Sequence, residues 1–295
     1  MSKFTIIGGG IAGASTAYHL AKLGHHITVY DRLDKGQATS ASAGIICPWT
    51  SQRRNKKWYR LVQEGARYYP SFVQELERLT ELPTGYSKNG AICMFKDKQI
   101  QQLAFERISK KKETAPEMGE VKMLSDVDQK ALNPSLTISY PSVFVEGGAQ
   151  INGHQLLAAL KQGILHYGGN WIQEDVNPEK VEGIVIYAAG AWGKELVKEP
   201  RIQHQKAELL HIEVTPNPHH PTPVVMGLGP MYIVPTGKNT YAIGTTHEDT
   251  ESFNVESSEE NKKYLLNEAK RYFPNSTLKI IGSSIGLRPF TRDSL

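Results

Sequence analysis

The 295-residue sequence has little cysteine, only Cys47 and Cys93. They lie far apart, which excludes a disulfide framework or a cysteine-rich metal site and fits a reducing, cytoplasmic compartment. Long apolar runs are missing as well. Stretches such as Gly183 to Trp192 fall well short of the ~20 residues of a membrane-spanning helix, so no integral membrane segment is expected. Nothing with the pattern of a secretory signal precedes the strand at the N-terminus. Excess charge of one sign is small, a formal +4. Arg53, Arg54, Lys56, Lys57 and Arg60 cluster, as do Lys110 to Lys112. No recognised nucleic-acid module accompanies them; they read as solvated helix faces, and no nucleic-acid partner is expected. The ten histidines, including His25-His26 and His219-His220, show no zinc spacing. Neither a G-x-S-x-G elbow nor a P-loop occurs, which argues against hydrolase and kinase chemistry.

What is present begins at the N-terminus. Lys3 to Ile7 is a short β-branched run, followed by Gly8-Gly9-Gly10-Ile11-Ala12-Gly13 and a small-residue helix, Ile11 to Leu23, closed by Gly24. A second strand, His26 to Tyr30, ends in Asp31. The glycines divide the mechanical work: Gly8 makes the tight turn, Gly10 admits a pyrophosphate, and Gly13 lets the helix press on the sheet. The helix N-terminus then faces the phosphates, with Ile11 and Ala12 beside them, and Asp31 is placed to bind a ribose. The motif predicts a dinucleotide without choosing one. Arg32 leaves NADP formally open, although Asp31 would repel its 2′-phosphate.

Four further stretches resemble the FAD-dependent amino-acid oxidase family that includes glycine oxidase, sarcosine oxidase and D-amino-acid dehydrogenase. They are Ala38-Thr39-Ser40-Ala41-Ser42-Ala43-Gly44-Ile45-Ile46; Gly147 to Gly153 leading into the helix His154 to Tyr167; the strand Gly183 to Tyr187 with Ala188-Ala189-Gly190-Ala191-Trp192-Gly193; and Ile285-Gly286-Leu287-Arg288-Pro289-Phe290-Thr291-Arg292-Asp293. The last is similar to the family's G-x-R-P-x-T-x-D segment and is the most specific match. The resemblance implies FAD as cofactor. It implies Thr39, Ser40, Gly44 and Ile45 along the pyrophosphate and toward the flavin, and Ala189, Gly190 and Trp192 where a strand end passes the cofactor. Val176, after the strand at Trp171, takes the place of an adenine neighbour. Arg288 would bind the substrate carboxylate through its guanidinium fork. Tyr232 falls where some relatives place a substrate-contacting tyrosine, and also reads as a core strand residue.

The implied fold is α/β: a discontinuous, Rossmann-like FAD-binding domain from 1–50, 145–200 and 275–295, with 51–144 and 201–274 forming a second, α+β substrate domain around a mixed or antiparallel sheet. In the least similar part, Trp58, Val62, Ala66, Tyr69, Val73 and Leu76 recur at helical spacing, with Pro70 starting a second helix. The implied chemistry is oxidation of the C–N bond of a small amino acid or secondary amine, with oxygen or another acceptor taking the electrons. An NAD-dependent dehydrogenase and a non-catalytic flavin-fold binder are the alternatives. Relatives continue beyond the Arg288 segment and fit a longer hairpin between Trp171 and Gly183. The expectation is therefore a chain incomplete at its C-terminus or near 175–181, with an exposed sheet edge; a complete protein of this length would be a binder rather than an oxidase.

Overall fold

The computed structural model describes residues 1–197, 202–216 and 221–291. One layer is built on the strand Lys3–Ile7, which buries Thr5, Ile6 and Ile7. Cover on both faces suits a strand with parallel neighbours on each side. Those neighbours are His26–Tyr30, in register from Lys3↔His26 to Ile7↔Tyr30, and Ile184–Tyr187, from Phe4↔Ile184 to Ile7↔Tyr187. The short strand Asn170–Ile172 completes a four-stranded sheet.

The helix Ile11–Lys22 lies in this core through Ala14, Ala17 and Ala21, beside the helix Gly153–His166 with its Leu156, Ala159, Leu160 and Ile164. Small side chains set their spacing. A Cβ on Gly13 would stand 1.9 Å from the carbonyl oxygen of Gly8, and Gly8 has φ +107°, which only glycine adopts without strain.

The segment Lys56–Thr80 is one continuous helix, not two divided at Pro70. Its apolar stripe stays in phase through the proline, and Phe72, Val73 and Leu76 enter the same core as Tyr18 and Leu160. Burial of that stripe outweighs the ~3 kcal/mol that an interior proline costs. Glu75 ties the packing down, accepting from the Tyr18 hydroxyl at 2.8 Å and from Lys22 at 2.5 Å. A helix expected in the substrate domain thus packs against the dinucleotide layer.

The second layer is a mixed, nine-stranded sheet. Its longest element is the antiparallel ribbon of Ile202–Thr215 and Thr277–Thr291, paired from Ile202↔Thr291 to Thr215↔Thr277 with an irregularity at His211/Ile212. Strand alternation sorts side chains into two cores. Leu210, Ile212, Ile233 and Ile243 pack with Leu265, Ala269 and Tyr272 of the helix Glu259–Tyr272. Leu209, Val234 and Ala242 pack the other way, with Trp49, Ile108 and Met118.

Of the segment 275–295 expected in the FAD-binding domain, the part from Thr277 to Thr291 belongs by pairing to this ribbon. Up to Thr291 the segment pairs with 202–215, because a long antiparallel partner satisfies the backbone groups on the edge that faces it. It meets the dinucleotide layer at the bridge Gln37↔Leu287, where the Leu287 N–H donates to the Gly36 carbonyl at 2.9 Å. Arg292, Asp293, Arg201, His219 and His220 lie outside the described residues.

Ile184–Tyr187 is an outer strand, and Ile184 and Tyr187 are 53% and 47% exposed. The connection into it is short: a 3-10 turn, Pro178–Lys180, begun by Asn177, whose side chain accepts from the Glu179 N–H at 2.9 Å. An apolar edge lies open here. Among the described residues no helix is long and apolar enough to cross a membrane.

The Gly13 contact yields a stability prediction. Gly13→Ala is expected to cost about 1–3 kcal/mol, the usual range for overpacking, because the atom it meets is backbone and cannot rotate away. Urea unfolding of the cofactor-free protein measures this; an unchanged midpoint would show that helix and strand are free to separate.

Candidate functional site

The helix Ile11–Lys22 starts at Gly10 with no side-chain cap and no acidic residue in its first turn. Its unpaired N–H groups and positive dipole end are therefore available to an anion. The Ile11 N–H donates to Thr39 Oγ1 at 3.0 Å, tying the loop at 39 to the helix start. Asp31, just beyond the strand His26–Tyr30, is 6% exposed. Its carboxylate accepts from the Gly9 N–H, from the Leu33 N–H at 2.6 Å and from the Gln37 amide at 2.7 Å. A carboxylate offers about four lone-pair sites, so capacity remains for one more donor. Arg32 is clamped by Asp34 at 2.7 Å and Glu195 at 3.2 Å.

These groups surround a cavity of about 420 Å³. Gly8, Gly10, Ile11, Ala12, Asp31 and Arg32 line one part of it, and Thr39, Val176, Ala189, Gly190 and Trp192 the rest of its predicted wall. A larger cavity, about 1310 Å³, begins where the first ends, with Ile11, Ala38 and Thr39 bordering both. Gly44 and Ile45 line this second space. The strand Thr277–Thr291 passes between the two. Its alternation turns Leu287 and Pro289 to the smaller cavity and Arg288 to the larger.

Arg288 is exposed on that face, and no carboxylate pairs with it among the described residues. Its Nη2 donates to Gln205 Oε1 at 2.8 Å, and Gln205 Nε2 donates to Asp249 Oδ1 at 2.6 Å. The sheet register explains this chain, since Gln205 stands opposite Arg288 on one side and Asp249 on the other. Tyr232 lies half-buried on the strand Tyr232–Pro235. Burial pushes its hydroxyl pKa up, against a hydrogen bond with Thr245 and the positive charge of Arg288.

Three residues singled out from the sequence border neither cavity: Gly13, Ser40 and Tyr232. Gly13 serves the packing described above, and Ser40 is exposed. Sequence reasoning passed over Gln37, Gln205 and Asp249, which orient Asp31 and Arg288. A glutamine in an alternating strand carries no motif; only the register reveals its role.

The fit of an extended, anionic dinucleotide can be tested on the glycines. A Cβ at Gly10 would meet nothing nearer than Thr39 Oγ1 at 3.6 Å, and one at Gly190 nothing within 4 Å. Gly10 also has φ −66°, a conformation valine accepts. Glycine at position 10 therefore leaves open floor rather than relieving a clash, whereas Gly190, at φ +55°, also serves its backbone conformation. Gly10→Val is expected to fold normally by circular dichroism and urea midpoint, yet to purify without bound flavin; a yellow, fully loaded variant would refute the phosphate site.

The model of the FAD dependent oxidoreductase family matches residues 3–295. Over 99% of its length the chain is 36% identical to the uncharacterized oxidoreductase YurR of Bacillus subtilis (strain 168), covering 84% of that protein. The crystal structure of iminodiacetate oxidase from Chelativorans sp. BNC1 has a TM-score of 0.89 and 28% identity, covering 98% of this chain and 84% of the other. Glycine oxidase from Geobacillus kaustophilus shares the fold with a TM-score of 0.82 and 22% identity, over 100% of this chain and 85% of the other. A match that runs through both layers, on an architecture shared with flavin-dependent oxidases, makes this chain a member of the FAD dependent oxidoreductase family, with FAD as its cofactor.

Proposed function

We propose that the chain oxidises the C–N bond of a small amino acid or secondary amine, with Arg288 holding the substrate carboxylate. The observation that carries this reading is Arg288 itself: a guanidinium turned to the larger cavity, braced through Gln205 and Asp249, and left without a carboxylate partner among the described residues. A planar fork matches both oxygens of a carboxylate at once. Iminodiacetate oxidase and glycine oxidase, whose fold this chain shares, are named for amines that carry carboxylates.

When bound, FAD supplies the two-electron sink: the substrate α-carbon gives up a hydride and its nitrogen a proton, and water then hydrolyses the imine to a carbonyl compound and an amine. The chain's own contribution is positional. The helix start at Gly10 to Ala12 and the carboxylate of Asp31 would hold the phosphates and ribose. Val176, Ala189, Gly190 and Trp192 would enclose the adenosine end, with Arg32 beside it. Thr39, Gly44 and Ile45 would lead the cofactor into the larger cavity. There Arg288 would fix the substrate so that its C–H bond meets the ring, a gain in orientation rather than in acid-base chemistry, while Tyr232, off the wall of this cavity, serves the strand packing. Oxygen or another acceptor then removes the electrons. The nicotinamide alternative is set aside by the family match.

Anaerobic bleaching of the flavin by glycine, N-methylglycine or D-alanine tests the reading; a loaded protein bleached by no amine would be a binder. Arg288→Lys is expected to lose, in kcat/KM, part of the about 2–5 kcal/mol that a bidentate charged contact is worth once the substrate desolvates it, since an ammonium cannot reproduce the fork. Gln205→Leu is expected to raise KM about fivefold with a smaller change in kcat, since one hydrogen bond worth ~1 kcal/mol no longer aims the guanidinium. Equal kinetics in both variants would remove Arg288 from the site.

A further inference from the structure

The larger cavity carries a second cation that the proposed chemistry does not use. Arg107, on the helix Lys98–Lys110, reaches the loop that follows Cys47, and its Nη1 donates to the carbonyls of Thr50 and Ser51, each at 3.1 Å. Lys111 does the same from one turn further on, with its Nζ 2.7 Å from the Trp49 carbonyl and 2.9 Å from that of Ser51. Both side chains are half-buried, and burial pushes their pKa values down, that of Lys111 to about 8. Among the described residues neither has a carboxylate partner. The thiols nearby do not supply an anion, because burial pushes Cys47 up to about 12 and Cys93 upward as well. The wall of the larger cavity holds Arg107 and Arg288 and no aspartate or glutamate.

Carbonyl oxygens satisfy part of Arg107. The remaining N–H groups, on Nε and Nη2, have no protein partner among the described residues, and the side chain lines the cavity. Those N–H groups can meet a carboxylate that enters the cavity, through charge-assisted bonds stronger than neutral ones. A zwitterionic amino acid brings one carboxylate, which Arg288 takes, and an ammonium that a second guanidinium would repel. An amine with two carboxylates answers both arginines.

Resting on the oxidation reading above, we propose that the substrate is an amine bearing two carboxylates, one held by Arg288 and the other by Arg107. The second carboxylate site is a property of the cavity and is present whether or not turnover occurs.

Two molecules that differ by one carboxylate test it in the FAD-loaded enzyme: iminodiacetate and N-methylglycine. Anaerobic flavin reduction is expected to half-saturate at ~30-fold lower concentration of iminodiacetate, the effect of one charged contact at its lower bound. Binding without chemistry gives an independent readout. Succinate is expected to raise the melting temperature at ~30-fold lower concentration than butyrate. Arg107→Gln should bring both ratios toward one, and Arg107→Lys, which keeps the charge and a donor for the loop carbonyls, should restore part of the succinate preference. Reduction by N-methylglycine as readily as by iminodiacetate, or equal stabilisation by succinate and butyrate, overturns the proposal and leaves amine oxidation standing. A preference that survives in Arg107→Gln overturns the assignment of Arg107. Succinate preference in a protein that no amine reduces supports the second carboxylate site and removes the oxidation reading alone. The wild-type comparison decides even where a variant fails to fold.

Discussion

The carboxylate of Asp31 is the constraint on which the cofactor end of the molecule depends. It is buried, and its accepted hydrogen bonds come from three places in the chain: the glycine turn at Gly9, the loop at Leu33 and the side chain of Gln37. Without it, the turn before the helix and the loop that runs on to Thr39 would keep only the Ile11–Thr39 hydrogen bond between them. Charge-assisted bonds of this kind are roughly twice as strong as neutral ones, and in a buried position each is sharpened by the low local dielectric. Gly10 gives the helix start no side-chain cap, and beyond the Ile11–Thr39 bond its first-turn N–H groups remain open to an anion.

One strand borders both cavities. Thr277–Thr291 belongs by pairing to the nine-stranded sheet, yet Leu287 completes the wall of the smaller cavity and bridges to Gln37, the residue that donates to Asp31. Arg288, one position on, turns the other way. The two-residue period of a strand thus sends neighbouring side chains to the smaller and the larger cavity, and the guanidinium is aimed by partners on two further strands.

The N-terminal unit was legible in the sequence because its signals are local. The strands at Lys3–Ile7 and His26–Tyr30 have the boundaries that the β-branched runs and the glycine turn dictate, and Ser258 caps the helix Glu259–Tyr272 as its position before Glu259 and Glu260 requires. Arg288 was found through a segment pattern, and most cofactor candidates line one of the two cavities. What was not legible depends on distant pairing. Pro70 looks like a boundary until the apolar stripe around it meets the cores of two other helices. The segment after Thr277 looks like part of the dinucleotide layer until its long antiparallel partner is known. Gln205 and Arg107 carry no motif, and their parts emerge only from sheet register and from a cavity wall.

The order of the chain bears on how such a protein acquires its flavin. The turn at Gly8, the helix after it and the loop at Thr39 are synthesised first, whereas Leu287 and Pro289, which close the same compartment, arrive some two hundred and fifty residues later, on the strand Thr277–Thr291. Translation delivers the N-terminal parts to the cell well before that strand can zip onto Ile202–Thr215. With the cofactor placed as proposed, a nascent chain would carry an open half-socket, and firm capture of the flavin would wait on the docking of one late β-strand.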